Sequence, residues 1–297
     1  MNHTPKSAIA IEYGFLGLLA LLWGSSYLFI KVAVAEIPPI TLIAIRVTIA
    51  VVFLTIVLRW QRDSLPHDWK TWRRLLILSF FNSIGAWTIL AWGQQHVDSG
   101  LASVLNSTSP IFVFFFTLLV TRHETTNGVK LFGAILGLCG VVLIVGVDAL
   151  AGLGQQVLGQ LAAITGAVLY ACAAIYGKRF SSLSATATAA GTMLWASIFL
   201  VPISLIVEHP WSLRPSYQAV LAALVLGLFC TGIALLIYFR LLKTLGSLGV
   251  ASQAYLRASV GVILGIMVLG EHITPVIALG LLAAILGVVA INMPRRS

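Results

Sequence analysis

The sequence is divided into apolar stretches that are each long enough to cross a lipid bilayer. Ten of them follow one another with short polar breaks, at 13–35, 38–58, 75–95, 100–121, 128–147, 157–177, 185–207, 217–239, 245–269 and 275–293. A membrane-spanning helix needs about 20 mostly apolar residues. Charged residues make up only 9% of the 297 residues, whereas a soluble domain carries about 25%. The sequence therefore predicts an all-α integral membrane protein of ten transmembrane helices in one membrane domain.

The Lys and Arg residues are concentrated in alternate breaks between the predicted spans. With the N-terminus inside, the inner tails and loops hold Lys6, Arg59, Arg62, Lys70, Arg73, Arg74, Arg122, Lys130, Lys178, Arg179, Arg240, Lys243, Arg295 and Arg296. The outer loops hold only Arg214. Cytoplasmic loops of membrane proteins are rich in Lys and Arg, so we expect both termini to be cytoplasmic. The net charge of +9 then reflects orientation and contact with anionic lipid, and we expect no nucleic acid partner.

A weak internal repeat relates the two halves of the chain. A shift of 147 positions places Trp23 on Tyr170, Lys31 on Lys178, Pro110 on Arg257, Glu124 on Glu271, Gly133 on Gly280 and Gly140 on Gly287. Each half, 1–147 and 148–297, contains five predicted spans, and an odd number reverses the direction in which the second half enters the membrane. The sequence thus predicts two inverted five-helix repeats, an arrangement that commonly surrounds a central substrate cavity at the bilayer midplane.

Arg257 is the most informative polar residue because it lies in the middle of the ninth span. A cation at the bilayer centre costs about 2.5–3.5 kcal/mol even on the most lenient scale, so it must face a wet cavity or a partner. One interpretation is that its guanidinium binds a substrate carboxylate, which it matches in bidentate geometry. The other is a structural arginine bonded to helix-end carbonyls or serine hydroxyls. Gln253 lies one turn earlier on the same helix face.

Other residues in the spans are candidates for the same cavity. Trp23 and Tyr170 lie deep in their spans, where they either stack on a flat substrate or only pack. Asn82, Trp87 and Asn106 are further polar and aromatic candidates for substrate binding, although polar side chains in such helices often bond to neighbouring helices. Pro110 removes a backbone hydrogen bond near the middle of the fourth span, which predicts either a gating hinge or a static kink. Lys31 is expected to extend to the outer interface.

The sequence lacks the residues that several kinds of chemistry require. All nine carboxylates lie at span ends or in loops, and no histidine lies inside a span. Proton-coupled carriers usually hold such a group at membrane depth, so we expect downhill transport or exchange. There is no HExxH motif, no phosphate-binding Walker loop and no believable nucleophile–base pair. We therefore expect no catalytic residue, no metal site and no cofactor.

Certain motifs resemble those of a known family. They are Trp23-Gly24-Ser25-Ser26, Pro39 followed by Arg46, the stretch from Ser109-Pro110 through Glu124, and Val268-Leu269-Gly270-Glu271. Together they cover nearly the whole chain, which is similar to EamA-type members of the drug/metabolite transporter superfamily. The resemblance implies ten helices, cytoplasmic termini, a cavity formed by helices 1–4 and 6–9, and helices 5 and 10 at the periphery. Arg257 departs from it, because the second repeat often has proline there. Arg46 matches a recurring arginine of the family and is expected to have a structural or gating role.

The resemblance also suggests what the chain does. Bacterial members are mostly inner-membrane exporters of amino acids and other small metabolites, and the general likeness and cavity chemistry favour aromatic or hydrophobic amino acids. A multidrug or other metabolite exporter of the same family is the alternative. A lipid-handling or intramembrane enzyme, and a channel or scaffold, are alternatives of other classes. The small-residue stripes Gly133, Gly137, Gly140 and Gly280, Ala284, Gly287 predict close helix packing within a monomer rather than in a dimer.

Overall fold

The computed structural model describes residues 6–94, 104–120, 127–146, 150, 153–154, 156–257, 259–260 and 274–293, apart from the side chains of residues 6–9, 27, 28, 31, 91 and 94. All regular structure in these ranges is helical. The α-helices are α1 (Lys6–Val34), α2 (Pro39–Trp60), α3 (Trp69–Ser79), α4 (Gly85–Gln94), α5 (Ser109–Val120), α6 (Gly128–Val145), α7 (Val157–Gly177), α8 (Ala185–Val207), α9 (Tyr217–Gly227), α10 (Ala234–Thr244), α11 (Gly246–Ala251) and α12 (Pro275–Asn292). Two π-helical segments, Phe80–Ile84 and Leu228–Ile233, connect α3 to α4 and α9 to α10.

The outer surface of the bundle is apolar enough to require lipid. Within the described ranges, six helical segments are long and apolar enough to cross a membrane, with mean hydropathies from 1.8 to 2.7. Only 33–56% of their apolar windows is buried inside the protein. Side chains such as Leu119 and Ile206 are 78% and 73% exposed, and a contiguous surface of this kind is stable only in an apolar medium. The chain is therefore a multi-pass membrane protein.

The first turns of the helices show why they begin where they do. Asp68 caps α3 by accepting the Thr71 amide at 2.7 Å, and Ser184 caps α8 by accepting the Ala187 amide at 2.9 Å. Such caps satisfy amides that have no partner inside the helix. Because the capped first turn can be polar, α3 begins six residues before the predicted apolar span. Helix α1 also begins earlier than predicted, at Lys6 rather than at residue 13.

Helices α6 and α12 pack against each other at glycines. A Cβ atom added at Gly133 would lie 2.8 Å from the Gly287 carbonyl oxygen, and one at Gly140 would lie 2.7 Å from that of Gly280. Residue numbers thus rise along one helix as they fall along the other, so the pair is antiparallel. The two contacts are also reciprocal, because Gly280 and Gly287 are the positions that a shift of 147 assigns to Gly133 and Gly140. Neither helix supplies a described residue to the central cavity.

Helices α2 and α8 form a second antiparallel pair, tied by polar groups at both ends. At one end, Glu208 accepts the backbone amides of Ile40 and Thr41, at 3.1 and 2.6 Å. At the other, Gln61 accepts the Thr186 hydroxyl at 2.7 Å. The end of each helix therefore holds the beginning of the other, and Gln61 and Glu208 are 147 positions apart.

The predicted ninth span differs from the observed backbone. Helix α11 ends at Ala251, Ser252 forms a turn, and residues 253–257 are helical again. The Tyr255 amide donates to the Ser252 carbonyl at 3.1 Å, a contact of the tighter three-residue type. Arg257 thus follows an interruption rather than lying in the middle of a continuous helix. Residues 258 and 261–269 of this span, the side chain of Lys31, and Glu124 and Glu271 of the proposed repeat lie outside the described residues.

Candidate functional site

A central cavity of about 330 Å³ lies between the helices. Its walls come from α1, α2, α4, α5, α7, α9, α10, the π-helical segment before α4 and residues 251–257. It contains the whole set of residues that the sequence proposed for substrate binding, together with one of the two proposed for gating. They are Trp23, Asn82, Trp87, Asn106, Tyr170, Gln253, Arg257 and Arg46. Residues far apart in the chain therefore meet at one site.

The Trp23-Gly24-Ser25-Ser26 motif brings α1 close to the segment that carries Arg257. A Cβ atom at Gly24 would lie 2.9 Å from Val260 Cγ1 and 3.2 Å from the Arg257 carbonyl oxygen, so only glycine permits this approach without a shift. The Arg257 guanidinium consequently lies over the Trp23 ring, with 5.3 Å between Cζ and the ring centroid. An aromatic face attracts a cation in this geometry. Trp23 thus orients Arg257 through the face of its ring, a contact that uses none of the guanidinium N–H donors.

Arg46 is held quite differently, by the backbone of the π-helical segment Leu228–Ile233. In this segment the Thr231 hydroxyl donates to the Leu226 carbonyl at 2.8 Å. The Cys230 carbonyl oxygen accepts both the Arg46 Nη2 and the Trp23 indole N–H, each at 3.1 Å. Arg46 Nε donates to the Thr231 hydroxyl oxygen. A π-helical turn redirects backbone carbonyls out of the usual ladder, and here one of them binds two cavity side chains.

The Arg46 guanidinium also stacks on the Trp87 ring, 4.4 Å from its centroid. With two hydrogen bonds and one ring face, its geometry is fixed by the protein itself. This fits the structural side of the role expected for Arg46 and separates it from Arg257, which among the described residues contacts the Trp23 ring and forms no side-chain hydrogen bond. Two guanidiniums therefore line one cavity, and among the described residues only that of Arg46 is held by hydrogen bonds.

Polar groups without protein partners line the same cavity. Asn106 and Gln253 are only 8% and 4% exposed, and in the described part of the chain Asn106 Oδ1 and Gln253 Oε1 accept no hydrogen bond. Asn82 differs, because its amide donates to Ser83 Oγ at 3.1 Å. None of the described lining residues is a carboxylate or a histidine. The cavity can thus offer guanidinium donors and amide acceptors within largely apolar and aromatic walls.

Pro110 does not kink a continuous helix as the sequence analysis expected. Residues 104–106 are helical, Ser107 and Thr108 form a turn, and Pro110 is the second residue of α5. Proline is well tolerated in the first turn of a helix, where its missing N–H would have no partner. The interruption lies before Pro110, and the proline is not among the residues that line the cavity. A hinge role for this position stays a prediction.

Sequence reasoning missed Tyr238, Ser26 and Ser109, all of which line the cavity. The Tyr238 ring centroid lies 5.5 Å from that of Trp23, so the tyrosine completes the aromatic wall beneath Arg257. In the sequence, Tyr238 lies one residue from the end of an apolar span. A tyrosine in that position resembles an ordinary interfacial anchor, so it was not identified as a cavity residue. Its inward direction depends on the π-helical turn before it, which shifts the helix face and leaves no pattern in the sequence.

The residues that line the cavity extend towards one end of the bundle, and polar contacts connect the helices at the other end. Ile30, Val34 and Pro39 line it near the end of α1 and the start of α2. At the opposite end Glu12 of α1 forms a 2.8 Å ion pair with Arg240 of α10. Lys243 there donates to the carbonyls of Ser181 and Leu183. These ties connect the first half of the chain to the second, and the loop after α7 to α10.

Comparison with known proteins adds independent information. The model of the EamA-like transporter family matches residues 11–146 and, a second time, residues 157–293. The two matches indicate duplicated halves. The uncharacterized transporter YoaV of Bacillus subtilis is 30% identical over 92% of this chain and 94% of its own. The uncharacterized inner membrane transporter YedA of Escherichia coli K12 is 27% identical over 95% of this chain and 91% of its own.

A solved structure shares the fold. One crystal structure superposes with a TM-score of 0.81, covering 95% of this chain and 97% of that one. Its sequence is 18% identical, so the likeness concerns the arrangement of helices alone.

Proposed function

The chain belongs to the EamA-like transporter family, and from this premise we propose that it exports small metabolites, chiefly aromatic and hydrophobic amino acids, by alternating access. The family is one of transporters and not of enzymes. A small-molecule substrate and a membrane follow from that membership. The chemistry of the substrate, the direction of transport and the mechanism are the parts that we propose.

The observation that carries the proposal is Arg257 on the Trp23 ring in an otherwise apolar and aromatic cavity. A guanidinium there lacks a carboxylate among the described lining residues, so the substrate must bring the negative charge. Its planar fork pairs with a carboxylate through two parallel hydrogen bonds. The aromatic side chains of Trp23, Trp87, Tyr170 and Tyr238 suit an apolar or flat side chain on the same substrate.

Alternating access is supported by the reciprocal contacts of the two halves. Helices α6 and α12 pack antiparallel at glycines 147 positions apart, and α2 and α8 hold each other's ends in the same reciprocal manner. A two-fold relation produces contacts of this kind, and inverted repeats are the usual basis for rocking around a central site. The Glu12–Arg240 ion pair connects α1 to α10 at one end, while the cavity lining extends towards the other end. We assign this geometry to an outward-facing state.

Orientation and location follow from the distribution of cations. Among the described residues, Arg59, Arg62, Lys178, Arg179, Arg240 and Lys243 all lie at the ends of helices that the sequence assigns to the cytoplasmic side. This supports cytoplasmic termini. The relative from Escherichia coli is named an inner membrane transporter, which supports the inner membrane for this chain too.

Charge separates this proposal from multidrug export. The described cavity contains two guanidiniums, Arg46 and Arg257, and no carboxylate. Amphipathic cations, which are common cargo of multidrug carriers, would meet repulsion in a medium where charges interact strongly. A channel would show flux that does not saturate, and an enzyme would convert the solute.

The test is flux of labelled phenylalanine in proteoliposomes containing the purified protein. We expect saturable, stereoselective flux with no chemical change of the solute. Arg257→Ala should lower it about ten- to hundredfold, since hydrogen bonds to a charged group contribute about 1.5–3 kcal/mol. Arg257→Lys should recover little, because an ammonium lacks the fork.

Arg214→Ala provides the matched control. Arg214 is exposed in the loop before α9, so the same substitution outside the cavity should leave flux unchanged. If Arg257→Ala carries aromatic amino acids as well as the wild type, the carboxylate role is wrong. Non-saturable flux, or recovery of a converted solute, would overturn the proposed function itself.

A further inference from the structure

Two buried amide oxygens in the cavity have no role in holding the protein together. Asn106 Oδ1 and Gln253 Oε1 accept no hydrogen bond in the described part of the chain, although their side chains are only 8% and 4% exposed. Buried acceptors are nearly always paired, and an unpaired one lowers the stability of the fold. Both residues line the cavity that holds Arg257. They are therefore suited to a donor that arrives with the ligand.

The position of Gln253 relative to Arg257 limits what that donor can be. The two residues are four apart within the helical stretch 253–257, so their Cβ atoms lie about 5–6 Å apart on one face. A ligand that fills both contacts must carry an acceptor for the guanidinium and a donor for the amide oxygen close together. An α-amino acid meets this condition, because its carboxylate and its ammonium are attached to the same carbon.

The number and type of acceptors point to ammonium rather than to hydroxyl. An ammonium has three donors and no acceptor, whereas a hydroxyl has a single donor. Two neutral amide oxygens can therefore both be satisfied by one ammonium group. No described lining residue is a carboxylate, so the cation is not bound by an opposite charge that would also hold simple amines.

We propose that Asn106 Oδ1 and Gln253 Oε1 form an ammonium subsite beside Arg257, so that the carrier selects α-amino acids over carboxylates that lack the amino group and over amines that lack the carboxylate. This inference rests on the proposed transport of carboxylate substrates. It adds that Asn106 and Gln253 distinguish substrates with an amino group from those without one. The competing explanation is that ordered water satisfies both oxygens, as it does in many polar cavities. Water would leave the site indifferent to the amino group.

The experiment compares three ligands that share one phenyl group. Wild-type protein in nanodiscs is equilibrated with labelled phenylalanine, which is displaced by unlabelled phenylalanine, 3-phenylpropionate or 2-phenylethylamine. We expect phenylalanine to bind at least tenfold more tightly than either analogue. Gln253→Met and Asn106→Leu remove an amide at similar volume, and each should weaken phenylalanine while leaving 3-phenylpropionate unchanged. The ratio between these two ligands should thus fall towards one.

Gln253→Glu is a variant that should change the affinities for the two analogues in opposite directions. A carboxylate there would pair with Arg257 and would attract an amine, so 2-phenylethylamine should gain affinity as 3-phenylpropionate loses it. Gln160→Met is the matched control, because Gln160 is a buried amide on α7 whose oxygen accepts the Gly154 amide outside the cavity. It should keep the wild-type ratio between ligands.

The outcomes separate this inference from the function on which it rests. If wild-type protein binds phenylalanine and 3-phenylpropionate equally, or if the Asn106 and Gln253 variants keep the wild-type ratio, the ammonium subsite is wrong. Arg257-dependent flux of 3-phenylpropionate would then still support transport of carboxylates. If neither ligand competes and neither is transported, both the subsite and the proposed substrate class are wrong.

Discussion

Arg46 and Arg257 show that one residue type can serve two purposes in a single cavity. Arg46 is bound on three sides, by the Cys230 carbonyl, the Thr231 hydroxyl and the Trp87 ring. Arg257 lies on the face of the Trp23 ring and forms no side-chain hydrogen bond within the described part of the chain. Sequence position alone made Arg257 the more informative residue, and the contacts explain the difference: the protein itself provides the partners of Arg46.

This difference predicts opposite effects of the same substitution. Arg46→Lys should destabilise the folded protein by about 1–3 kcal/mol, because a single ammonium cannot replace the guanidinium at all three contacts and leaves buried acceptors unpaired. Arg257→Lys should leave stability near the wild-type value while removing flux. Thermal unfolding in detergent, read alongside proteoliposome flux, measures both. Equal stability of the two variants would contradict the structural role given to Arg46.

Glu36 provides a prediction that depends on pH. Its carboxylate, in the turn after α1, accepts the Ser216 hydroxyl at 2.7 Å and the Ser216 amide at 2.6 Å, and these hydrogen bonds lower the pKa of Glu36. A carboxyl whose pKa is lower in the folded than in the unfolded protein stabilises the fold at pH values above its unfolded pKa, about 4.3. This stabilisation is lost as the pH falls through the folded pKa. Wild type should therefore exceed Glu36→Gln in melting temperature at pH 7, and the gap should close below about pH 4. A gap independent of pH would show that the charge does not matter.

Residue chemistry explains how far the site could be predicted from the sequence. Trp23, Asn82, Asn106, Gln253 and Arg257 were identifiable because a polar or aromatic group inside an apolar span needs a reason to be there. The role of the Cys230 carbonyl could not be predicted. Every residue has a backbone carbonyl, and only the local backbone conformation decides which carbonyl is free to accept a side-chain hydrogen bond. Binding by these residues is still a prediction, which the ligand series addresses.

At the level of elements, the two π-helical segments occupy equivalent places in the two halves. A shift of 147 moves Phe80–Ile84 onto residues 227–231, which overlap Leu228–Ile233. Each segment brings polar groups to the cavity: Asn82 on one side, and the Cys230 carbonyl on the other. Hydrophobic periodicity identifies a span but not a single inserted residue within it, so these segments, and the turn at Ser252, were beyond sequence analysis.

The contact between α6 and α12 gives the sharpest prediction at this scale. A Cβ atom at Gly140 would lie 2.5 Å from the Ala284 backbone nitrogen, which cannot move without separating the helices. Gly140→Ala should therefore destabilise the protein by about 1–3 kcal/mol, the usual range for overpacking. Gly17→Ala is the matched control, since a Cβ there meets nothing within 4 Å and alanine favours a helix by about 0.5–1 kcal/mol. Unfolding temperatures of the two variants should move in opposite directions, and a neutral Gly140→Ala would contradict the close approach.

For the whole molecule, the sequence predicted the duplication that the two family matches support, whereas the inverted relation of the two halves stays a prediction. A shift of 147 positions places both ends of α6 (Gly128–Val145) on the ends of α12 (Pro275–Asn292). The two helices share the same glycine contacts and have similar polar breaks before them. The helix ends were specified less well. Polar first turns such as Trp69–Arg74 continue a helix beyond the apolar span once a cap such as Asp68 is present, and composition alone does not mark that extension.

The groups that line the cavity limit how transport can be driven. Moving substrate against its gradient with protons requires a group that gains and loses a proton where the substrate binds. The described cavity residues include neither carboxylate nor histidine, and arginine stays protonated. The Glu12 carboxylate lies near the start of α1, where it pairs with Arg240 and accepts the Thr244 hydroxyl at 3.0 Å. That tie must break when the closed end opens, but it lies outside the cavity.

We therefore expect flux down the solute's own gradient or by exchange. Proteoliposomes holding labelled substrate at equal concentration on both sides should show no net accumulation when a pH gradient is imposed. Unlabelled substrate added outside should speed the exit of label, since the loaded carrier reorients around a neutralised Arg257. Uphill accumulation that a protonophore abolishes would mean that a coupling group exists, and Glu12→Gln would then be the first variant to make. If that variant abolishes accumulation driven by the pH gradient but keeps exchange, the Glu12–Arg240 pair is the coupling element. Proton coupling would then not require an acidic residue in the cavity.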